Sequence, residues 1–214
     1  MEDLERLNSG IPGLDMILAG GLVAGASYII QGRPGSGKTI LANQIAFHRA
    51  AQGHKVLFAT LLAESHDRLF QFLSTLSFFD RERVGSEIHY VSAFDTLQSE
   101  GPEAIVTLLR RECVKHNASL MVVDGLVNAL NGSDTRIDAK RFIARLQGHA
   151  AFAGCTVLFL TSSGIEAGNP GMETFELAHD GQCSAVSAAP CVTSGSHTAL
   201  ASLPPCTIRC VAAT

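Results

Sequence analysis

The feature that most narrows the fold is the stretch "GRPGSGKT", Gly32–Thr39, set between the apolar run "ASYII" and the segment "ILANQIAFHRAA". It satisfies G-x-x-x-x-G-K-[ST], and its flanks read as a strand before and a helix after, the context that gives the pattern its meaning. Phosphates need a concave array of backbone N–H donors at a helix N-terminus, and side chains at the glycine positions would block close approach. Lys38 offers a point charge to the β- and γ-phosphates, and Thr39 offers a hydroxyl to Mg2+. The loop thus marks Gly32, Pro34, Gly35, Ser36, Gly37, Lys38, Thr39 and Ile40 as candidates for holding a Mg-nucleoside triphosphate. The plain alternative is an ordinary glycine turn, and a Lys-Thr pair in register argues against it. Arg33 reads as solvated.

A metal-bound triphosphate also calls for an acid at the end of a neighbouring strand. "SLMVVDG" supplies one, a buried-type apolar run ending at Asp124. On its own this motif equally describes a surface Asp-Gly turn. Beside the glycine loop it makes Thr39 and Asp124 the candidate metal pair, with Lys38 a candidate for catalysis as well as binding.

Strand and helix patterns alternate along most of the chain. A strand at Ser27–Gln31 precedes the loop, and a helix over Lys38–Ala51 is stopped by Gly53. Lys55–Leu62 is a continuous apolar run, and Ser65 is placed to cap a helix through about Leu76. Glu87–Ala93 reads as a strand, and "GPEAIVTLLRRECVKHN" as a helix with Pro102 in its first turn. "SLMVVDGL" and "CTVLFLTSS" are two more buried strands, separated by a helix over about Ile137–Ala151. This alternation predicts an α/β fold, a mainly parallel central sheet with helices on both faces. The first 26 residues are dense in turn formers.

The alternation fails after about Asp180. The segment 181–214 carries a single formal charge, Arg209, and is rich in Ala, Ser, Pro and Cys. It reads as an atypical low-complexity tail, poorly ordered, behind a domain spanning 1–180. Four of the six cysteines fall there, at 183, 191, 206 and 210, with no CxxC pair. Unpaired cysteines fit better than a zinc site, which favours tighter paired spacing. The eight histidines form no HxxxH or HExxH pair.

Composition excludes some function classes. The formal charge of -4, without a Lys/Arg-rich run, gives no footprint for strong nucleic-acid binding. Weak or gated binding stays open. "MEDLERLNSG" is acidic and polar, unlike a secretory leader, and no run of about 18 apolar residues offers a membrane span. The expectation is a soluble, cytoplasmic protein.

The segment "LNSGIPGLDMILAGGLVAGASYIIQGRPGSGKTILANQIAFHRAAQGHKVLFATLLAES" resembles the ATPase domain of KaiC-type proteins, a RecA-like branch of the P-loop NTPases. "SGIPGLD", the "GG" before the first strand and "GHKVLFATLLAES" all stand in register. "FELAHDGQ", Phe175–Gln182, is similar to the family's later "ADG" strand start. The resemblance covers about residues 4–182 and is most specific in the first 70. It implies a RecA-like P-loop NTPase fold, ATP with Mg2+, and self-association into a ring, commonly a hexamer, with nucleotides at subunit interfaces. It also implies regulatory protein partners.

Two departures bear on catalysis. The family typically carries two adjacent carboxylates after the strand that follows the loop helix, the first polarising the attacking water. Here those positions are Ala63 and Glu64. Successive side chains of an extended segment point to opposite faces. Glu64 therefore reads either as the general base or as an acid in the first turn of a helix. The family's Lys-x-Arg element on a late strand is also missing: Lys140 is the last lysine and Arg209 the only arginine after Arg145. A replaced, truncated or frame-shifted distal segment would account for this, and the reading frame of the encoding DNA tests it. Within "LTSSG", Thr161 or Ser162 is placed to sense a γ-phosphate, with a plain strand end as the alternative. The reading is an ATP-binding, ATP-hydrolysing regulatory domain. A non-hydrolysing ATP-dependent interaction module is the rival, and a recombinase- or helicase-like motor the weaker third.

Overall fold

The computed structural model describes residues 4–63, 65–125, 139–162, 172–177, 183–186 and 206–211. A short ribbon pairs β1 (Arg6–Leu7) with β2 (Leu22–Val23) around α1 (Pro12–Ile17). The main sheet holds β3 (Ser27–Gly32), β4 (Val56–Thr60), β5 (Ile88–Ser92), β6 (Leu120–Asp124) and β7 (Thr156–Thr161). It is completed by β8 (Met172–Leu177), β9 (Cys183–Val186) and β10 (Cys206–Val211). The order is β5-β4-β6-β7-β3-β10-β8-β9, with the first five strands parallel and the last three joined antiparallel.

The expected α/β architecture is present, and the burial of its strands shows why their interiors are apolar. Every residue of β4, β6 and β7 is buried, because helices cover both faces. On one face Leu57, Ala59, Met121, Val123, Val157 and Phe159 join α5 (Pro102–His116) and α6 (Ala139–Phe152) in one core cluster. Arg145 of α6 also pairs with Glu103 of α5. On the other face Val56, Phe58, Val122, Leu158 and Leu160 pack with α2 (Lys38–Ala51), through Ile45, Ala46 and Phe47. The alternation along each strand assigns successive side chains to opposite layers.

Helix ends follow local chemistry. Gly53 has φ +82 and donates to Ala50 O (2.9 Å), while His54 donates to Arg49 O (3.2 Å). This is a Schellman ending, the physical form of the stop expected at Gly53. α3 (His66–Leu73) starts after Ser65 as expected, but the Ser65 side chain makes no capping bond. The helix also ends short of Leu76. Ser74 Oγ and Thr75 Oγ1 donate back to Gln71 O (2.7 Å) and Phe72 O (2.8 Å), competing with continuation. α4 (Phe94–Glu100) and α1 are helices where the sequence pattern suggested none, each too short to display a period.

The segment read as a tail contributes two strands. β10 lies between β3 and β8, with Cys206 opposite Gly32 and Val211 opposite Ser27. Ladder pairing satisfies backbone N–H and C=O groups whatever the side chains are, so a strand of this kind needs no apolar period of its own. The side chains of Cys183, Cys206 and Cys210, and all of Cys191, lie outside the described residues. So does Glu64.

Candidate functional site

Five parallel strands bring their carboxyl ends to one edge. In the ladder Gln31 is opposite Thr161, Leu160 opposite Asp124, Asp124 opposite Thr60, and Thr60 opposite Ser92. In open α/β sheets ligands bind outside this edge.

β3 runs into the loop at Gly32, and the turn that follows depends on glycine. Gly35 (φ +79) and Gly37 (φ +84) are left-handed, and Ser36 N donates to Arg33 O (3.1 Å). Gly37 is the N-cap of α2 and offers no side-chain acceptor to the first helical turn. The opening N–H groups of a helix have no intrahelical acceptor, so Lys38, Thr39 and Ile40 present theirs at the loop. A Cβ at Gly35 would meet nothing within 4 Å, so the loop stands open beside that residue. Pro34 is exposed and Ser36 buried. The Lys38 ammonium folds back over the loop, donating to Gly32 O (2.9 Å), Arg33 O (2.9 Å) and Ser36 Oγ (3.5 Å). A cationic head held over backbone donors fits a polyphosphate.

Thr39 and Asp124 come together across the sheet. Thr39 Oγ1 donates to Asp124 Oδ2 at 2.7 Å, and Asp124 is only 6% exposed. This is not a surface Asp-Gly turn. Gly125 has φ +88, and a Cβ there would lie 2.7 Å from the Leu62 side chain, so the chain must turn tightly beside β4. Leu61 N donates to Asp124 O (2.8 Å) and fixes that turn. A hydroxyl beside a buried carboxylate suits a hard divalent cation with oxygen ligands. Among the described residues no cluster of three or more His, Cys, Asp or Glu could hold a metal alone. The pair is therefore suited to an ion that also takes oxygens from a ligand.

The remaining expectations fall at the margins of this edge. Thr161 is buried at the end of β7, in register with Gln31, and Ser162 follows it half-buried. Ala63 is exposed and supplies no acid.

Residues that the sequence reading missed surround the pair. Asn43, fully buried on α2, donates from Nδ2 to Thr39 O (2.8 Å) and accepts at Oδ1 from Tyr90 OH (2.6 Å). His66 Nε2 and Thr60 Oγ1 are 2.9 Å apart. Burial pushes the Tyr90 phenol well up, and burial pushes His66 down, with Asp67 opposing. The one sequence signal was an asparagine on the apolar stripe of a helix, where a buried amide must find partners.

Comparison with known proteins identifies the family of the chain. The model of the KaiC ATPase family matches residues 7–184. A UPF0273 protein of Pyrococcus furiosus is 25% identical over 188 residues, covering 79% of this chain and 74% of the relative. The circadian clock protein KaiC3 of Synechocystis is 39% identical over 59 residues, 28% of this chain and 12% of that protein. The DNA repair protein RadA of Aquifex aeolicus is 35% identical over 106 residues, 49% of this chain and 23% of that one. A crystal structure of a KaiC-like protein from Pyrococcus horikoshii matches the fold with a TM-score of 0.63 at 24% identity, covering 74% of this chain and 72% of that one. The family match runs from β1 through the glycine loop and Asp124 into β9, and on that ground this chain belongs to the KaiC ATPase family.

Proposed function

We propose that the chain binds ATP with Mg2+ through Gly32–Ile40 and Asp124, and that the bound nucleotide governs its assembly into a ring with regulatory partners. The observation that carries the reading is the Thr39–Asp124 hydrogen bond, which joins the loop to the only buried acid at the strand edge among the described residues. Lys38 neutralises phosphate charge, the first turn of α2 supplies N–H donors, and Thr39 with Asp124 holds the metal. When bound, Mg2+ draws charge from the β- and γ-phosphate oxygens. The formal charge of -4 disfavours a nucleic-acid motor, and no helix among the described residues is long and apolar enough to cross a membrane. We place the protein in the cytoplasm.

Hydrolysis needs a group that reaches the attacking water directly or through one other water. In the hydrolytic reading Glu64 is that base. The second reading, an ATP-dependent interaction module without turnover, is favoured by the exposed Ala63 where the resemblance calls for a carboxylate. Mg·ATP turnover by the wild-type chain, Lys38→Ala and Glu64→Gln, with molecular mass measured in parallel, separates the two. Turnover lost in both variants supports the hydrolytic reading. ATP-dependent oligomers without turnover support the interaction module. No ATP binding by the wild-type chain overturns both.

A further inference from the structure

Thr39 and Asp124 are held from a second direction by side chains remote from the glycine loop. Asn43 lies one helical turn after Thr39, and its amide donates to Thr39 O, the carbonyl that its own backbone N–H meets in an α-helix. Two donors on one carbonyl hold the Thr39–Ile40 peptide, and with it the backbone from which the Thr39 side chain projects toward Asp124 Oδ2. The Asn43 amide holds this orientation only if its oxygen is turned the other way, where Tyr90 OH meets it at 2.6 Å. A flipped amide would set oxygen against the Thr39 carbonyl, so Tyr90 must be the donor. The phenol is protonated at neutral pH, and burial pushes its pKa further up.

The Tyr90 ring is itself fixed. It meets Phe70 edge-on at 4.8 Å, Phe58 at 5.1 Å and His66 at 5.8 Å between centroids. His66 reaches the other member of the pair by a separate route. Its ring bonds Thr60 Oγ1, Thr60 is in register with Asp124, and the next residue, Leu61, donates to Asp124 O. The backbones that carry both members of the candidate metal pair are thereby tied to the same aromatic group on β5 and α3.

We propose that Tyr90, acting through Asn43, is a positioning residue for the Thr39–Asp124 pair, so that edge strand β5 sets how well Mg2+ engages the bound nucleotide. The inference rests on the Mg·ATP reading above. Tyr90 does not touch the reacting atoms; it orients the amide that orients the threonine.

The test compares wild type, Tyr90→Phe and the double variant Tyr90→Phe/Asn43→Leu in the full chain. A fluorescent ATP analogue is titrated with and without Mg2+, and the ratio of the two affinities is the Mg2+ enhancement. Tyr90→Phe keeps the ring and removes one hydroxyl. The double variant replaces a hydrogen-bonded pair with an apolar pair of similar shape, so that no buried group is orphaned. The enhancement is expected to fall about three- to tenfold in both, the scale of one buried hydrogen bond, while Mg2+-free affinity holds. If Asn43→Leu prevents folding, Tyr90→Phe alone decides the matter. An unchanged enhancement, or equal losses with and without Mg2+, marks a merely structural role and overturns the inference while the ATP reading stands. Failure of the wild-type chain to bind the analogue overturns both.

Discussion

The Thr39 hydroxyl rests 2.7 Å from Asp124 Oδ2, although 85 positions separate them in the chain. Asp124→Asn keeps an acceptor for that hydroxyl and removes the negative charge. A hydrogen bond or contact to a charged group is worth roughly 1.5–3 kcal/mol, so Mg·ATP affinity should fall by about tenfold or more. Nucleotide affinity without Mg2+ should hold, and isothermal titration at fixed free Mg2+ reads both. Equal affinities in the presence of Mg2+ would remove Asp124 from the metal site.

Two left-handed glycines should respond differently to alanine. At Gly125 the φ of +88 is joined by a Cβ contact of 2.7 Å to Leu62, so both strain and repacking oppose the change. At Gly35 the φ is +79 with nothing within 4 Å, leaving backbone strain alone. Strain of this kind costs about 1–3 kcal/mol. Urea unfolding should therefore rank Gly125→Ala as the more destabilised, while Gly35→Ala should lose more nucleotide binding because Gly35 lies in the glycine loop proposed to hold the phosphates.

Stability should fall on mild acidification. His66 is lowered by burial, and His89 by burial first and then by His116, Lys55 and Lys115. His54 is lowered by burial and by Arg49. Each binds its proton more weakly folded than unfolded, so the unfolded state holds more protons below the ordinary histidine value. Their contribution is complete above about pH 6.5 and is lost as pH falls through the folded values. Thermal midpoints should drop between about pH 7.5 and about pH 5.5, and His66→Gln with His89→Gln should flatten the slope. Glu112, lowered by its hydrogen bond from Lys115, acts in a more acidic window, where its contribution is lost only as the carboxylate protonates.

Cys113 and Cys155 are both buried, at 4% and 0% exposure, in the core between α5 and β7. Cys113 Sγ donates to Ala118 O and Cys155 Sγ to Thr156 O, and the neighbouring Cys113 thiol together with burial pushes the Cys155 thiol up, away from the reactive thiolate. Neither should react with iodoacetamide in the native protein, and both should react in denaturant. Peptide mass spectrometry distinguishes them from the other four cysteines. Native labelling of Cys155 at the rate of an exposed thiol would contradict the packing described.

Much of the fold was legible because its constraints are local. Helices on both faces force the interiors of β4, β6 and β7 to be apolar, which a short window reveals. The spacing of Gly32, Gly37, Lys38 and Thr39 belongs to a single turn, and Gly53 ends α2 through its own backbone angle. α1 and α4 escaped because one or two helical turns carry no usable period. The early end of α3 turned on serine and threonine hydroxyls that bond back to the helix, which propensity alone understates.

By itself, then, the sequence determined the α/β alternation, the glycine loop between strand and helix, and the identity of the acid that ends a buried strand. Only the tertiary structure decided that β7 separates the loop strand from the acid's strand, that β10 fills the outer edge of β3, and that Tyr90 reaches Asn43 across 47 positions. The reason is physical. Periodicity and turn chemistry fix each element over a few residues, whereas strand order and register arise from how whole elements bury their faces together. Hydrogen bonds between distant side chains exist only after that packing is complete.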